Sequence, residues 1–437
     1  MRALISVYDK QGIEDLGRSL DHLGVSIIST GGTSSRLKKA GISPLKVSDH
    51  TGFPEIMDGR VKTLHPIIHG GLLARREDDS HMNAVKKLNI PLIDIVICNL
   101  YPFEATIEDD KASWDDIIEK IDIGGPSMVR SAAKNYKDVI VCVNPARYPD
   151  IIEGLKTGNV PMALRELLAM EAFSHTAYYD SVISRHFQKT FLGPDEFPEE
   201  MSLGLKKHQS LRYGENSHQQ AALYRLGRPA GLINVKQLQG KELSFNNYID
   251  THAAYQIVKQ FELPAVVVIK HTNPCGVAVA ESLNEAFQRA FEADSVSAFG
   301  GIIGLNRECD KKTAKKISDI FVEVVIAPSF SKDALTLLGK KKNLRLLIKE
   351  KFNETSVDVD LKRINGGILL QEDDLITVQK DDMKVVTKKT PGDKELADLQ
   401  VGWTVIKYVK SNAICLVRDR IVIGVGAFNA DGDGEFG

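Results

Sequence analysis

The sequence predicts an α/β protein with more than one domain, and three observations carry that expectation. Its 437 residues are too many for one hydrophobic core. Its composition, 43% apolar and 26% charged, is that of an ordinary globular chain. Short apolar runs alternate with helix-spaced segments through the first 140 residues, the pattern of a parallel sheet with helices on both faces.

The elements follow in order. "ALISVY" (3–8) is a short strand. "QGIEDLGRSLDHLG" (11–24) spaces Ile13, Leu16, Leu20 and Leu23 three or four residues apart, which predicts an amphipathic helix stopped by Gly24. "VSIISTGGT" (25–33) reads as a strand entering a glycine turn, and "SSRLKKAG" (34–41) as a helix. "IDIVICNLYPF" (93–103) and "DVIVCVNP" (138–145) are buried strands, and 149–187 reads as helix. Prolines, glycines and acids then interrupt the pattern in "LGPDEFPEEMSLGLKKHQS" (192–210). This places a first domain at 1–198 and a second at 199–427, with a disordered tail at 428–437. In the second domain "AVVVIKHTNPCG" (265–276) is a buried strand feeding a Pro-Cys-Gly turn, and "SLNEAFQRAFEAD" (282–294) is a helix. Strands are expected in "GGIIGLN" (300–306), "EVVIAP" (323–328) and "LRLLIK" (344–349), and a helix in "ADLQVGWTVIKYVKSN" (397–412).

Charge narrows the function classes. A net charge of -2 argues against a nucleic-acid or membrane surface, so an anionic ligand must be met by local cations. The five cysteines are scattered without a CxxC pair, which reads as reduced thiols and not as disulfides or a zinc site. "MRALISVYDK" lacks a signal-peptide pattern and no apolar run approaches the ~18 residues of a membrane span, so a cytoplasmic location is expected.

Local cations are what "GRVKTLHPIIHGGLLAR" (59–75) offers. Arg60 and Lys62 are two apart, so an extended segment turns both to one side. His65 and His69 are four apart, but Pro66 lies between them and no carboxylate completes a metal-binding pattern. "STGGT" (29–33), with "SVYDK" (6–10), supplies glycine-freed N–H groups and hydroxyls at a helix start, a phosphate cradle or a plain turn. "IDIGGPSMVRSAAKN" (121–135) carries Asp122, two glycines, then Arg130 and Lys134 one helical turn apart. In the second half "QSLRYGENSHQQAALY" (209–224) gathers Arg212, Tyr213, Asn216 and His218 around Gly214. "GKELSFNNYID" (240–250) offers Asn246, Asn247 and Asp250 as hydrogen-bonding groups or as a capped turn. Lys270 and His271 end an otherwise Val/Ile strand, which is costly unless they face a cleft, and the pair suits proton transfer.

Nine stretches in order, "STGGT", "TGFPEIMDGRVKTLHPIIHGGLLAR", "CNLYPF", "IDIGGPSMVRSAAKN", "LRYGENSHQ", "GKELSFNN", "KHTNPCG", "SAFGGIIG" and "KSNAICL", resemble the bifunctional purine-biosynthesis family that joins AICAR formyltransferase to IMP cyclohydrolase. The resemblance runs from residue 1 to about 427. It implies a methylglyoxal-synthase-like parallel-sheet domain, then cytidine-deaminase-like α/β lobes without the deaminase zinc. By position, Ser6, Lys10, Ser29, Thr30, Gly31, Gly32 and Thr33 would hold the ribose phosphate. Arg60, Lys62, Thr63, Asn99, Tyr101, Asp122 and Lys134 would surround the base, with Lys62, Tyr101, Asp122 and Lys134 in the chemistry of ring closure. Lys270, His271 and Asn412 would catalyse formyl transfer, while Arg212, Tyr213, His218, Asn246 and Glu323 bind substrate. The resemblance further implies 10-formyltetrahydrofolate as co-substrate, AICAR, FAICAR and IMP as ligands, and a homodimer. It calls for no metal or nucleotide cofactor and leaves room for a monovalent cation. After "GVGA" the sequence departs from the family, so the last lobe is expected to be incomplete and the formyltransferase impaired, beside an intact cyclohydrolase. A methylglyoxal-synthase-like lyase and a non-catalytic nucleotide-binding protein are the alternatives.

Overall fold

A computed structural model describes residues 1–193, 196–227, 231–350, 352 and 359–427. The expected disordered tail, 428–437, lies outside the described residues. The chain forms two compact units, one built on Met1–Lys206 and the other beginning at Lys207.

The first unit holds strands β1 (Arg2–Ser6), β2 (Ser26–Ser29), β3 (Leu45–Lys46), β4 (Ile95–Cys98) and β5 (Ile140–Cys142). Its helices are α1 (Ile13–His22), α2 (Gly31–Lys39), α3 (Val47–Thr51), α4 (Pro66–Leu73), α5 (Asp79–Lys87), α6 (Phe103–Ile107), α7 (Trp114–Glu119), α8 (Gly124–Lys134), α9 (Tyr148–Lys156) and α10 (Met162–Phe191). All strands are parallel, in the order β3-β2-β1-β4-β5. Successive residues of β1 alternate between two cores: Ala3 and Ile5 pack with Leu16, Leu20 and Ile151, and Leu4 with Ile68, Val129 and Ala172. A sheet buried on both faces explains why these strands read as apolar runs without alternation. The order reverses direction at β1, so the crevice between the carboxyl ends of β1 and β4 is the switch point where such sheets bind ligands.

Two local expectations are corrected. The 149–187 helix is two helices, α9 and α10, because Gly158 takes a left-handed φ of 78° after α9 and Pro161 caps α10. Residues 60–62 are not extended. Asp58 and Gly59 have φ of 53° and 84°, Arg60 is right-handed helical, and Ile56 bridges Val61, so Arg60 and Lys62 sit on a tight turn.

The second unit contains a two-stranded sheet of β6 (Leu205–Leu211) and β7 (Ala221–Leu226). Its main sheet uses β8 (Lys236–Gln239), β9 (Ala265–Lys270), β10 (Asn273–Val279), β11 (Ile302–Leu305), β12 (Val324–Ala327), β13 (Arg345–Ile348), β16 (Ala413–Arg418) and β17 (Ile421–Ala427). The order is β16-β17-β10-β9-β11-β12-β13-β8, of mixed direction. Helices α11 (Phe245–Val258), α12 (Leu283–Ala293), α13 (Lys311–Ser318), α14 (Lys332–Leu338) and α15 (Asp393–Ile406) accompany it, and β14 (Val359–Ile364) and β15 (Gly367–Glu372) form a separate hairpin. Residues of β9 again alternate between two cores: Val266 and Val268 join Phe287, while Val267 and Ile269 join Tyr255 and Val405. Each such burial contributes roughly 1.5–3 kcal/mol.

The expected Pro-Cys-Gly turn is not a turn. The chain reverses at His271–Thr272, and Pro274, Cys275 and Gly276 lie within β10. Proline is tolerated there because β17 pairs with β10 only at Val277 and Ala278, and a bulge falls between Pro274 and Gly276.

Candidate functional site

In the first unit, three parallel strands deliver their loops to one place. Ser6 is in register with Cys98 and Ile5 with Ser29, so the segments after β1, β2 and β4 leave the same edge side by side. Hydrogen bonds lock them together. Ser6 Oγ meets Thr30 Oγ1 at 3.0 Å, and Ser29 Oγ donates to the Ile5 carbonyl at 2.8 Å. Thr33 Oγ1 accepts from the Val7 N–H at 3.2 Å and donates to the Val7 carbonyl at 2.9 Å. Asn99 Oδ1 accepts from the N–H groups of Tyr8 (2.6 Å) and Asp9 (2.9 Å), and its Nδ2 donates to the Asp9 carbonyl at 3.1 Å. Lys10 Nζ donates to the carbonyls of Val7 and Tyr8, and burial pushes its ammonium down, against the pull of Asp9.

At this edge α2 begins with Gly31, Gly32 and Thr33. No side chain caps it, and its first turn holds no acid. An uncapped helix start presents N–H groups and a partial positive charge, which suits an anion.

Thr63, Tyr101, Asp122 and the start of α8 close the other wall. The two glycines of "IDIGG" are there for close approach. A Cβ on Gly124 would stand 2.6 Å from Thr63 Oγ1, and one on Gly125 2.5 Å from Asp122 Oδ2 and 2.7 Å from Leu100 Cδ2. Asp122 Oδ1 accepts the Gly125 N–H at 2.8 Å, and the Asp122 N–H donates to Tyr179 Oη at 2.8 Å. Burial pushes the Asp122 carboxyl above the usual range, opposed by N–H bonds from Gly125 and Tyr101 and by the Lys62 charge. Burial also pushes the Tyr101 phenol up, reinforced by Asp122. Tyr101 packs edge-on against Tyr8 with centroids 5.8 Å apart. The site thus holds a partly desolvated carboxyl and an exposed phenol beside a lysine, a set able to move protons and to stabilise an oxyanion.

Other expected members stand apart. The exposed Arg60 pairs with Glu119. Lys134 is the last residue of α8, ten residues beyond Gly124 and about 15 Å down the axis from it. Arg130 lies over the Phe173 ring at 5.7 Å. His65 N-caps α4, its Nδ1 accepting the Ile67 N–H at 3.2 Å, and His69 Nδ1 meets Ser131 Oγ at 3.0 Å.

The second unit assembles a different constellation. Lys270 ends β9 and its Nζ donates to the Phe299 carbonyl at 2.9 Å, and the exposed His271 follows in the turn. Asp250 Oδ1 accepts the Thr272 N–H at 2.8 Å. Glu323 precedes β12, where its Oε2 accepts from Asn247 Nδ2 at 2.8 Å and lies 3.6 Å from Arg345 Nη1. Burial pushes the Arg345 guanidinium down, opposed by Glu323 and Tyr213 and reinforced by Arg212, which places all four within electrostatic reach. The Arg212 guanidinium stacks over Tyr213 at 4.9 Å. Asn246 is exposed and its Nδ2 donates to the Glu215 carbonyl at 3.4 Å; His218 is exposed. Asn412 precedes β16. With Ala413 opposite Ala427 and Val277 opposite Val422, β16 and β10 open at the same end of the sheet, two strand spacings or about 10 Å apart. Asn412 and His271 therefore share that end.

Three contributors were not among the expected site residues. Arg345 heads an otherwise apolar strand, as Lys270 ends one, and that shared anomaly was its signal. Asn247 and Asp250 were visible only as hydrogen-bonding groups, since their partners lie 76 and 22 residues away.

Comparison with known proteins finds relatives that span both units. Residues 12–127 match the family described as MGS-like domain, and residues 132–430 match AICARFT/IMPCHase bienzyme. The chain is 51% identical over 429 residues to the bifunctional purine biosynthesis protein PurH of Thermoanaerobacter sp. (strain X514), covering 97% of this chain and 83% of that protein. The PurH of Acetivibrio thermocellus is 50% identical over 430 residues, with 97% and 84% covered, and that of Bacillus mycoides 49% identical over 429 residues, with 98% and 84% covered. A solved structure titled "Crystal structure of ForH" aligns at 36% identity and a TM-score of 0.39, covering 43% of this chain and 98% of its own. The chain belongs to the AICARFT/IMPCHase bienzyme family and is a bifunctional enzyme of purine biosynthesis, an AICAR formyltransferase and IMP cyclohydrolase.

Proposed function

We propose that the first unit closes the purine ring at the β1/β4 crevice and that the second transfers the formyl group at the Lys270–His271 end of its sheet. The observation that carries this reading is the convergence of Ser6, Lys10, Asn99, Tyr101, Asp122 and the uncapped α2 on one sheet edge. The nucleotide phosphate sits on the N–H groups of Gly31, Gly32 and Thr33, with the hydroxyls of Ser6, Ser29 and Thr30 and the Lys10 ammonium around it. Thr63, Asn99 and Arg60 meet the base and ribose.

Ring closure joins the carboxamide nitrogen of FAICAR to its formyl carbon and expels water. Both groups are tethered in one molecule, so positioning supplies much of the acceleration. Lys62 stabilises the oxygen that gains charge, and Tyr101 and Asp122 pass protons between the nitrogen and the departing oxygen. Lys134, at the other end of α8 from Gly124, has no part in this assignment.

In the transfer, the AICAR amine attacks the formyl carbon of 10-formyltetrahydrofolate and tetrahydrofolate leaves. His271, aided by Lys270, takes the amine proton, and Asn412 orients the formyl oxygen. Arg212, Tyr213, His218, Asn246 and Glu323 hold the nucleotide. Neither reaction requires a metal or nucleotide cofactor, and a monovalent cation is compatible with both. The enzyme works as a cytoplasmic homodimer. Among the described residues no helix is long and apolar enough to cross a membrane.

The test is a pair of assays on one preparation: FAICAR to IMP by absorbance, and AICAR plus 10-formyltetrahydrofolate by tetrahydrofolate release. Asp122→Asn should abolish the first and leave the second. His271→Ala should do the reverse. A variant that removes both, or neither, sinks the division of labour. Gel filtration with light scattering tests the dimer.

A further inference from the structure

The β9–β10 hairpin is closed by two residues that disfavour the conformation they adopt. His271 and Thr272 have φ of 51° and 67°. Tight hairpins with a left-handed centre are normally Asn-Gly or Asp-Gly, because a Cβ is strained there, a β-branched one most of all. Strained residues persist only where surrounding groups over-determine them.

Here the surrounding group is Asp250. Its Oδ1 accepts the Thr272 N–H at 2.8 Å, and the His271 residue lies within electrostatic reach of the same carboxylate. Asp250 stands in the second turn of α11, whose start is fixed by a reciprocal cap between Ser244 and Asn247. Asn247 in turn holds Glu323. The turn's other polar groups are also engaged: the His271 carbonyl accepts from Thr272 Oγ1 at 2.6 Å and from Asn273 Nδ2 at 3.1 Å. Burial pushes the Asp250 carboxyl up, reinforced by Glu323, while the Thr272 N–H bond and His271 favour the charged form.

A second hairpin uses the same device away from either constellation. Asp419 and Arg420 have φ of 57° and 60°, and Asp398 accepts their N–H groups at 3.0 and 2.5 Å. A carboxylate across a left-handed turn is therefore this unit's way of closing a hairpin without glycine. What sets Asp250 apart is the imidazole carried on the turn it holds.

We propose that Asp250 is a positioning residue for formyl transfer: by accepting the Thr272 N–H of the His271–Thr272 turn, it fixes the direction in which the His271 imidazole meets the reacting amine. This rests on the reading that His271 acts in the transfer. A displacement of about 1 Å is enough to cost about 10²-fold in rate.

The full chain is assayed for both activities. Asp250→Ala should lower kcat of formyl transfer by about 10²-fold, leave KM for AICAR within about threefold, and leave ring closure in the first unit unchanged. Asp250→Asn keeps one carbonyl acceptor and should recover at least about tenfold of that loss. Thr272→Gly, added to Asp250→Ala, should also recover activity, because glycine adopts the left-handed turn unaided. Three results each overturn the proposal: an Asp250→Ala enzyme within about threefold of wild type, an Asn variant no better than Ala, or no rescue by Thr272→Gly. If Asp250→Ala fails to fold, Asp250→Asn with and without Thr272→Gly carries the same comparison. His271→Ala separates the two levels: full transfer by that variant removes the reading of His271, whatever Asp250 does.

Discussion

In the first unit a Cβ on Gly125 would stand 2.5 Å from Asp122 Oδ2, and one on Gly124 2.6 Å from Thr63 Oγ1. In the second, His271 and Thr272 occupy left-handed positions where glycine would be unstrained, and Asp250 holds them there. Both units must carry polar groups at the rim of a sheet buried on both faces. The first does it by removing side chains so that backbone and carboxylate touch. The second keeps its side chains and adds a carboxylate to hold the backbone. The first design is therefore vulnerable to an added methyl group and the second to a lost acceptor.

The largest expected effect tests that contrast on the glycine side. Gly125→Ala must displace Asp122 or Leu100, and it should lower cyclohydrolase kcat by about 10²-fold or more while costing roughly 1–3 kcal/mol of stability. Formyl transfer should be unaffected. Trp114 lies in the first unit and Trp403 in the second, so variants that keep one or the other as the single tryptophan report the two unfolding transitions separately. A fully active Gly125→Ala enzyme would mean that the close approach is incidental. The Asp250 series is the matching test on the acceptor side.

Thr33→Val is next. It strands the buried Val7 N–H that Thr33 Oγ1 now accepts, while the Val7 carbonyl keeps Lys10 Nζ, at a cost of about 1–3 kcal/mol. The urea midpoint of the first unit should fall with its slope unchanged. Arg60→Ala should leave that midpoint in place, because Arg60 and Glu119 are both exposed. Its KM for FAICAR should rise about tenfold if the guanidinium leaves Glu119 for the substrate.

The smallest effect is on pH. Because Asp122 has its carboxyl raised in the fold, the folded state binds the proton more tightly than the unfolded chain does. Its contribution to stability is complete below the unfolded value of about 3.9 and is lost as pH rises through the folded value above it. Asp122→Asn should remove that slope. Urea unfolding of both proteins from pH 4 to 7, followed at Trp114, measures the difference, and parallel curves would refute it.

The first unit was legible in the sequence to a degree the second was not. Its polar residues come in contiguous strings, and "SVYDK", "STGGT" and "NLYPF" each follow a strand, so reading the strands pointed to the candidate site. Position along a helix was harder to see: Lys134 shares a string with Asp122 but lies at the other end of α8. In the second unit contacts reach across the sequence, and Arg345, Asn247 and Glu323 meet only once β12 and β13 pair. The Pro-Cys-Gly expectation failed for a related reason. Breaker residues mark turns only on average, and here two left-handed non-glycine residues make the turn with the help of a carboxylate 22 residues away.

The uncapped start of α2 has a consequence for how the cyclohydrolase responds to its surroundings. Main-chain N–H groups have no proton to lose in the physiological range, so an anion resting on Gly31, Gly32 and Thr33 is held equally well at pH 6 and pH 8 as far as those donors are concerned. What changes over that interval is the ligand, since a phosphate monoester takes its second negative charge near pH 6. In the proposed binding mode the grip on the nucleotide therefore follows the ionisation of the substrate and of Lys10, whose ammonium burial pushes down, and Asp122 and Tyr101 are left to the chemistry at the ring.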